Sequence, residues 1–124
     1  MKHPSFHARQ TPDKPAYVMA GSGETMTYRQ LDERSNRGAQ ALRALGVGPG
    51  DHIAFIMENR LEFMEILWAA HRAGVIYTAI SRYLSPAEAG YIIRDCGSKV
   101  FIASDAYLSQ AAEYRAQAEG LPCI

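Results

Sequence analysis

The chain has 124 residues, 48% of them hydrophobic and 21% charged, and its thirteen basic side chains cancel thirteen acidic ones. That balance excludes a disordered chain, supplies no net field for nucleic acid or an anionic membrane surface, and leaves no apolar run of membrane-spanning length. One α/β domain covering residues 1–124 is expected, in a cytoplasmic protein: Met1 to His7 lacks the apolar centre of a secretory signal, and Cys96 and Cys123 form no metal spacing and read as reduced thiols.

Residues 1–13 carry two prolines and two histidines and read as a loosely structured lead-in with room for one short helical turn. His3 and His7 sit four apart, a spacing that could share a metal on a helix, but nothing nearby supplies a third ligand, so they read as exposed histidines. Ala16–Ala20 and Glu24–Thr27 flank Gly21-Ser22-Gly23, which predicts two short strands in a hairpin. A phosphate loop would lie between a strand and a helix and carry further glycines or a Gly-Lys-Ser/Thr ending, and this turn has neither.

Thr27 with Gln30 forms a capping-box pattern and opens a helix to about Leu45. Leu31, Ser35, Gly38, Leu42 and Leu45 share one face, and Arg29, Asp32, Glu33, Arg37 and Arg43 read as solvated. Gly46 can close that helix, and Gly48-Pro49-Gly50-Asp51 has the composition of a tight turn. His52–Met57 is apolar without alternation, as suits a strand covered on both faces, and Asn59 with Glu62 predicts a cap for the next helix. In Leu61–Ala73 the run Phe63, Met64, Ile66, Leu67, Trp68 and Ala70 leaves little polar surface, so heavy burial is expected.

Gly74 ends that helix and Val75–Ile80 follows as the next parallel strand. Ser85-Pro86-Ala87-Glu88 opens a helix that runs to Gly97; Lys99–Ala103 is a strand, Asp105 to about Glu119 an alanine-rich helix, and Leu121–Ile124 the entry to a further strand. Strands alternating with crossover helices predict an N-terminal hairpin followed by a mostly parallel, doubly wound, Rossmann-like sheet with helices on both faces. The chain stops within that alternation, which predicts an unpaired sheet edge through which a homodimer could form.

Catalytic motifs are absent. There is no Gly-x-Ser-x-Gly elbow, His-Glu-x-x-His, Walker loop or dinucleotide fingerprint. His52 and His71 read as ordinary packed or half-exposed histidines, Asp51 and Asp95 as residues at element ends. A receiver-type phosphoacceptor would need acidic residues at strand carboxyl ends, where Glu58 alone could fall.

From about Thr11 to Ile102 a set of ordered positions carries more information than any motif. It comprises Pro15-Ala16, Thr27-Tyr28, Leu31, Asn36, Ala39, Leu42, Leu45-Gly46-Val47, Gly50-Asp51, Ile53-Ala54, Asn59, Glu62-Phe63, Ala70, Ala73-Gly74, Glu88, Tyr91-Ile92, Asp95 and Lys99–Ile102. In order and spacing the sequence resembles the beginning of the adenylate-forming acyl-CoA synthetases, the superfamily that includes luciferases and peptide-synthetase adenylation domains. Many relatives carry Pro where this chain has Ala79, and the run Tyr77–Ser81 is more similar to bacterial fatty-acid–CoA ligases, which implies a medium- or long-chain fatty acid.

The resemblance implies a two-step ligase in which a carboxylate attacks ATP to give an acyl-adenylate and pyrophosphate, and the CoA thiol then displaces AMP. ATP, Mg2+ and CoA are thereby implied for a full-length enzyme. The family's phosphate loop, ribose-binding Asp and C-terminal Lys match no residue here, so the chain is expected to bind none of these groups itself and to hold no catalytic, cofactor-binding or metal-binding residue. The expected role is the scaffold of an N-terminal subdomain. A self-standing binding or regulatory module derived from such a ligase is the alternative, with a flavodoxin-like or receiver protein open on fold analogy.

Overall fold

A computed structural model describes residues 2–124. In chain order it contains α1 (Pro4–Gln10), β1 (Pro15–Val18), β2 (Thr25–Thr27), α2 (Tyr28–Ala44), β3 (His52–Ile56), α3 (Leu61–Ala73), β4 (Ile76–Ile80), α4 (Pro86–Asp95), β5 (Ser98–Ala103), a 3₁₀ segment (Asp105–Gln110) and α5 (Ala111–Gln117).

The predicted loose lead-in is corrected: it contains a seven-residue helix, α1, started by Pro4 at the first helical position, where the missing N–H costs nothing. β1 and β2 form the expected antiparallel hairpin, shorter than predicted, with Tyr17 opposite Met26. α2 begins in the predicted capping box, with the Thr27 hydroxyl accepting from the Gln30 amide at 3.2 Å and the Gln30 side chain accepting from the Thr27 amide at 2.9 Å. It ends with paired bonds, Gly46 N–H to the Arg43 carbonyl and Val47 N–H to the Leu42 carbonyl, both 2.9 Å. Gly46 supplies the left-handed residue that this ending requires (φ 78°), and Val47 packs beside Leu42 in the core.

The turn that follows is fixed from three sides. Asp51 accepts from the Gly48 amide at 2.8 Å, its other oxygen lies 2.8 Å from Lys99 Nζ, and the Gly50 amide bonds the Gly74 carbonyl at 2.8 Å. β3 then enters the centre of a parallel sheet of order β4-β3-β5, in which Phe55 lies opposite Ala79 on one side and Ile102 on the other. Four successive β3 residues, Ile53 to Ile56, are fully buried, as expected of a strand covered on both faces.

Helices cover both faces. Ile53 and Val100 pack with Ala39 and Leu42 of α2 and Ala70 and Ala73 of α3. Ala54, Ile56 and Phe101 pack with Ala89 and Ile93 of α4 and Tyr114 and Ala118 of the α5 segment. The chain turns one way from β3 to β4 and the other way from β4 past β3 to β5, so right-handed crossovers place α3 and α4 on opposite faces. Beyond α5, Cys123 bridges in parallel to Phe101, so residues 122–124 begin pairing along the far side of β5.

Four expectations are corrected. α3 is not heavily buried: Leu61, Ala69, Ala70 and Ala73 are inside, whereas Phe63, Met64, Ile66, Leu67 and Trp68 are half-exposed. The helix rests on alanines so that α2 can come close, and its large side chains are displaced to the rim. Asn59 does not cap α3; Arg60 is the cap residue, without a side-chain cap bond, and its guanidinium takes up the Glu62 carboxylate at 2.8 Å. Leu45 is 39% exposed because the helix ends there. Asp32 is not simply solvated but forms a half-buried ion pair with Arg72 of α3.

Candidate functional site

In an open doubly wound sheet, ligands bind outside the carboxyl ends of neighbouring strands whose following helices lie on opposite faces. β3 and β5 form such a switch point, because the chain leaves β3 towards β4 on one side and leaves β5 towards residues 122–124 on the other, with α3 and α5 on opposite faces. The crevice is bordered by the loop after β3, Met57–Arg60, and the loop after β5, Ser104–Asp105. A backbone bond from Ser104 N–H to the Ile56 carbonyl (3.2 Å) joins the two loops at their roots.

Side chains complete the join. The buried Ser104 hydroxyl donates to Glu58, and Arg60 reaches Glu58 at 3.2 Å, Glu62 at 2.8 Å and Asp105 at 2.7 Å. The Ser104 hydrogen bond first, and the Arg60 charge after it, hold the Glu58 carboxyl below its ordinary range. Arg60 acts likewise on Glu62, and the Glu62 and Asp105 carboxylates raise the Arg60 guanidinium above its usual value. Burial, reinforced by the Glu58 charge, pushes the Tyr107 phenol up. Next to this cluster a cavity of about 250 Å³ is lined by Ala103, Tyr107, Leu108, Tyr114 and Arg115 together with Ile124.

Arg60 is engaged by three carboxylates and so is not free to meet a triphosphate, with Arg82 and Arg115 as further cations beside the crevice. The hairpin turn is equally unsuited to one: the Gly23 amide is bonded to Met19 and the Glu24 amide to Ser22 Oγ, so these N–H groups are consumed within the turn. Among the described residues no three His, Cys, Asp or Glu side chains gather as a metal site. What the cluster does is hold two loops in register at the crevice.

The residues weighed from sequence are dispersed. His3 and His7 share no ligand: His3 meets Trp68 and His71, and His7 meets Phe6 and Tyr28. His52 starts β3, Asp51 closes the turn before it, and Asp95 ends α4 exposed. Cys96 and Cys123 are both free thiols. Glu58 alone reaches the carboxyl edge. Arg60, Ser104 and Asp105 were missed; the signal available was their position just after predicted strands, but their partnership, with Glu58, spans up to 46 positions in sequence.

The fold and its carboxyl-edge crevice define an α/β domain of the kind that carries ligands at strand ends. The match is more particular: residues 5–123 fit the model of the AMP-binding enzyme family, and the chain belongs to that family. It is 34% identical over 103 residues to the fatty acid–[acyl-carrier-protein] ligase ScoC of Streptomyces coeruleorubidus, covering 83% of this chain and 20% of that protein. It is 36% identical over 106 residues to the long-chain-fatty-acid–CoA ligase FadD13 of Mycobacterium tuberculosis, covering 82% of this chain and 21% of that protein. A solved Mycobacterium tuberculosis fatty acyl CoA synthetase superposes with a TM-score of 0.85 at 31% identity, over 98% of this chain and 25% of that one. The chain thus spans about a fifth of the length of the curated relatives it matches.

Proposed function

We propose that these residues form the N-terminal subdomain of a cytoplasmic fatty-acid–CoA ligase and serve as scaffold. The full-length enzyme would convert ATP, a fatty acid and CoA to acyl-CoA, AMP and pyrophosphate through an acyl-adenylate, with Mg2+ as the ATP counter-ion. The observation that carries the reading is the match over residues 5–123 together with relatives that are fatty-acid ligases about five times longer. A medium- or long-chain acid is favoured by the Tyr77–Ser81 run and by the names of those relatives. No residue here is assigned to catalysis, nucleotide or metal. The part played by Glu58, Arg60, Ser104 and Asp105 is to fix two crevice loops, and such positioning supports chemistry performed by other groups.

ATP–pyrophosphate exchange tests both halves of the reading. The pure 124-residue chain should give no exchange with any fatty acid, whereas the full-length ligase should exchange with medium- or long-chain acids and not with acetate. Exchange by the chain alone overturns the scaffold role, and failure of the full-length protein with every fatty acid overturns the substrate class.

A second reading, a self-standing module that dimerises through a sheet edge, is favoured by one observation. β4 is an edge strand without charge or proline, and it leaves Ile76 49% and Tyr77 41% exposed. Light scattering of the chain at high concentration tests it: a monomer removes this reading, and a dimer lost on Thr78→Lys supports it.

A further inference from the structure

We propose that the docking of α1 is a proton-sensitive latch, held by neutral His3 and released when that imidazole takes up a proton. His3 is the cap residue of α1, and its Nδ1 accepts the Ser5 amide at 3.1 Å, with the Ser5 hydroxyl 2.9 Å from the same nitrogen. Only an unprotonated ring nitrogen can accept, so Nδ1 is bare and the ring proton sits on Nε2. A proton added to Nδ1 turns it from acceptor to donor, facing the Ser5 N–H, and the cap is lost.

The same ring ties the start of α1 to α3. It stands edge-on to Trp68 at 5.2 Å and lies 5.6 Å from the His71 ring, while Trp68 donates to the Tyr17 hydroxyl at 2.8 Å and so ties the hairpin to the same spot. The charged and titratable groups around it are His71 and Arg72 from α3 and Asp32 from α2, with Lys2 and His7 on its own segment. Asp32 favours a charged His3, but it is already paired with Arg72. Burial first, then Arg72 and His71, hold His3 below its ordinary value of 6.5.

The sign follows from that direction. The docked state prefers the neutral ring, so the latch is at full strength above pH 6.5 and weakens as pH falls through the lower, docked value. Release is confined to α1, because the next segment is held separately: the Arg29 amide bonds the Pro12 carbonyl at 3.0 Å and the Tyr28 amide the Lys14 carbonyl at 3.1 Å. Protonation thereby removes the cap of α1 and its His3 contact with α3, leaving only the packing of α1 on α2, such as His7 against Tyr28, to hold the helix, and uncovers one side of Trp68 without opening the sheet.

Amide hydrogen exchange, corrected for its intrinsic pH dependence, reads the latch residue by residue, and Trp68, the sole tryptophan, reports it by emission. Between about pH 7.5 and about pH 5.5, protection of Phe6–Gln10 should fall by up to about tenfold per unit by which the docked His3 value is depressed, with α2 unchanged. The midpoint should coincide with the titration of the His3 imidazole followed by NMR, and Trp68 emission should move with it. His3→Asn keeps a capping acceptor that does not titrate and should remove the pH step, while His71→Gln should retain it. A flat profile in the wild type, a step that survives His3→Asn, or a midpoint that follows His71 instead of His3 overturns the proposal.

Discussion

Arg60 is the residue on which the carboxyl-edge cluster depends, since it is the cation common to Glu58, Glu62 and Asp105. Replacing it by Met would leave three carboxylates facing one another. With side chains about one-third exposed or more, screening limits the loss to about 1–2 kcal/mol, which urea denaturation of Arg60→Met would measure. Ser104→Ala acts differently. It removes the largest cause holding Glu58 below its ordinary value of 4.5, so the Glu58 carboxyl should titrate nearer 4.5. The wild-type contribution is present above pH 4.5 and disappears as pH falls through the lower folded value; in Ser104→Ala the acid transition should begin at higher pH, as carboxyl NMR and an acid-unfolding curve would record. Gly38 is the third informative residue. A Cβ there would lie 2.7 Å from Ala69 Cβ, so Gly38→Ala gains helix propensity but drives α2 from α3. Overpacking of about 1–3 kcal/mol set against a gain of about 1 kcal/mol predicts a net loss of about 1 kcal/mol, recovered in part by Ala69→Gly in the same chain.

At the level of elements, the local signals were read correctly where both partners lie within one turn. Thr27 with Gln30 and Ser85 with Glu88 form the capping boxes their spacing predicts. Asn59 with Glu62 has the same spacing and fails, because Arg60 between them captures the carboxylate and carries it towards Asp105. The competitor, Arg60, lies inside the four-residue pattern, but the Asp105 carboxylate that helps place its guanidinium is 45 positions away and invisible to that pattern. The contrast is measurable: Ser85→Ala should cost about 1 kcal/mol, while Asn59→Ala, exposed and outside the cap, should stay within about 0.5 kcal/mol. The apolar run of α3 misled for a related reason. Composition counts large side chains but does not say which face meets the sheet, and here alanines do. The predicted helix after Asp105 is divided, its first six residues in the tighter 3₁₀ form. No cap bond from a side chain starts either half, so local sequence offered nothing to mark the boundary.

On the scale of the molecule, the α/β class, the parallel pairing and the two covered faces were legible because each strand and crossover carries its own punctuation. Strand order was not: β3 lies between β4 and β5 through contacts between segments that no single window contains. The same holds for the crevice, whose walls come from two loops brought together by that order. Only the lone Glu58 could be placed at a strand end beforehand, and its partners became visible when β5 was set beside β3.

The bare edge of β4 has a consequence in time. In the full-length ligase proposed here, β4 leaves the ribosome long before most of the protein exists. At roughly 5–20 residues per second, a chain of the relatives' length needs some tens of seconds more to be completed. Throughout that interval an uncharged strand with exposed Ile76 and Tyr77 stands ready to pair with any other unfinished chain nearby. Nascent-chain crowding, and access of a chaperone to this strand, would then bear on how many chains mispair before completion.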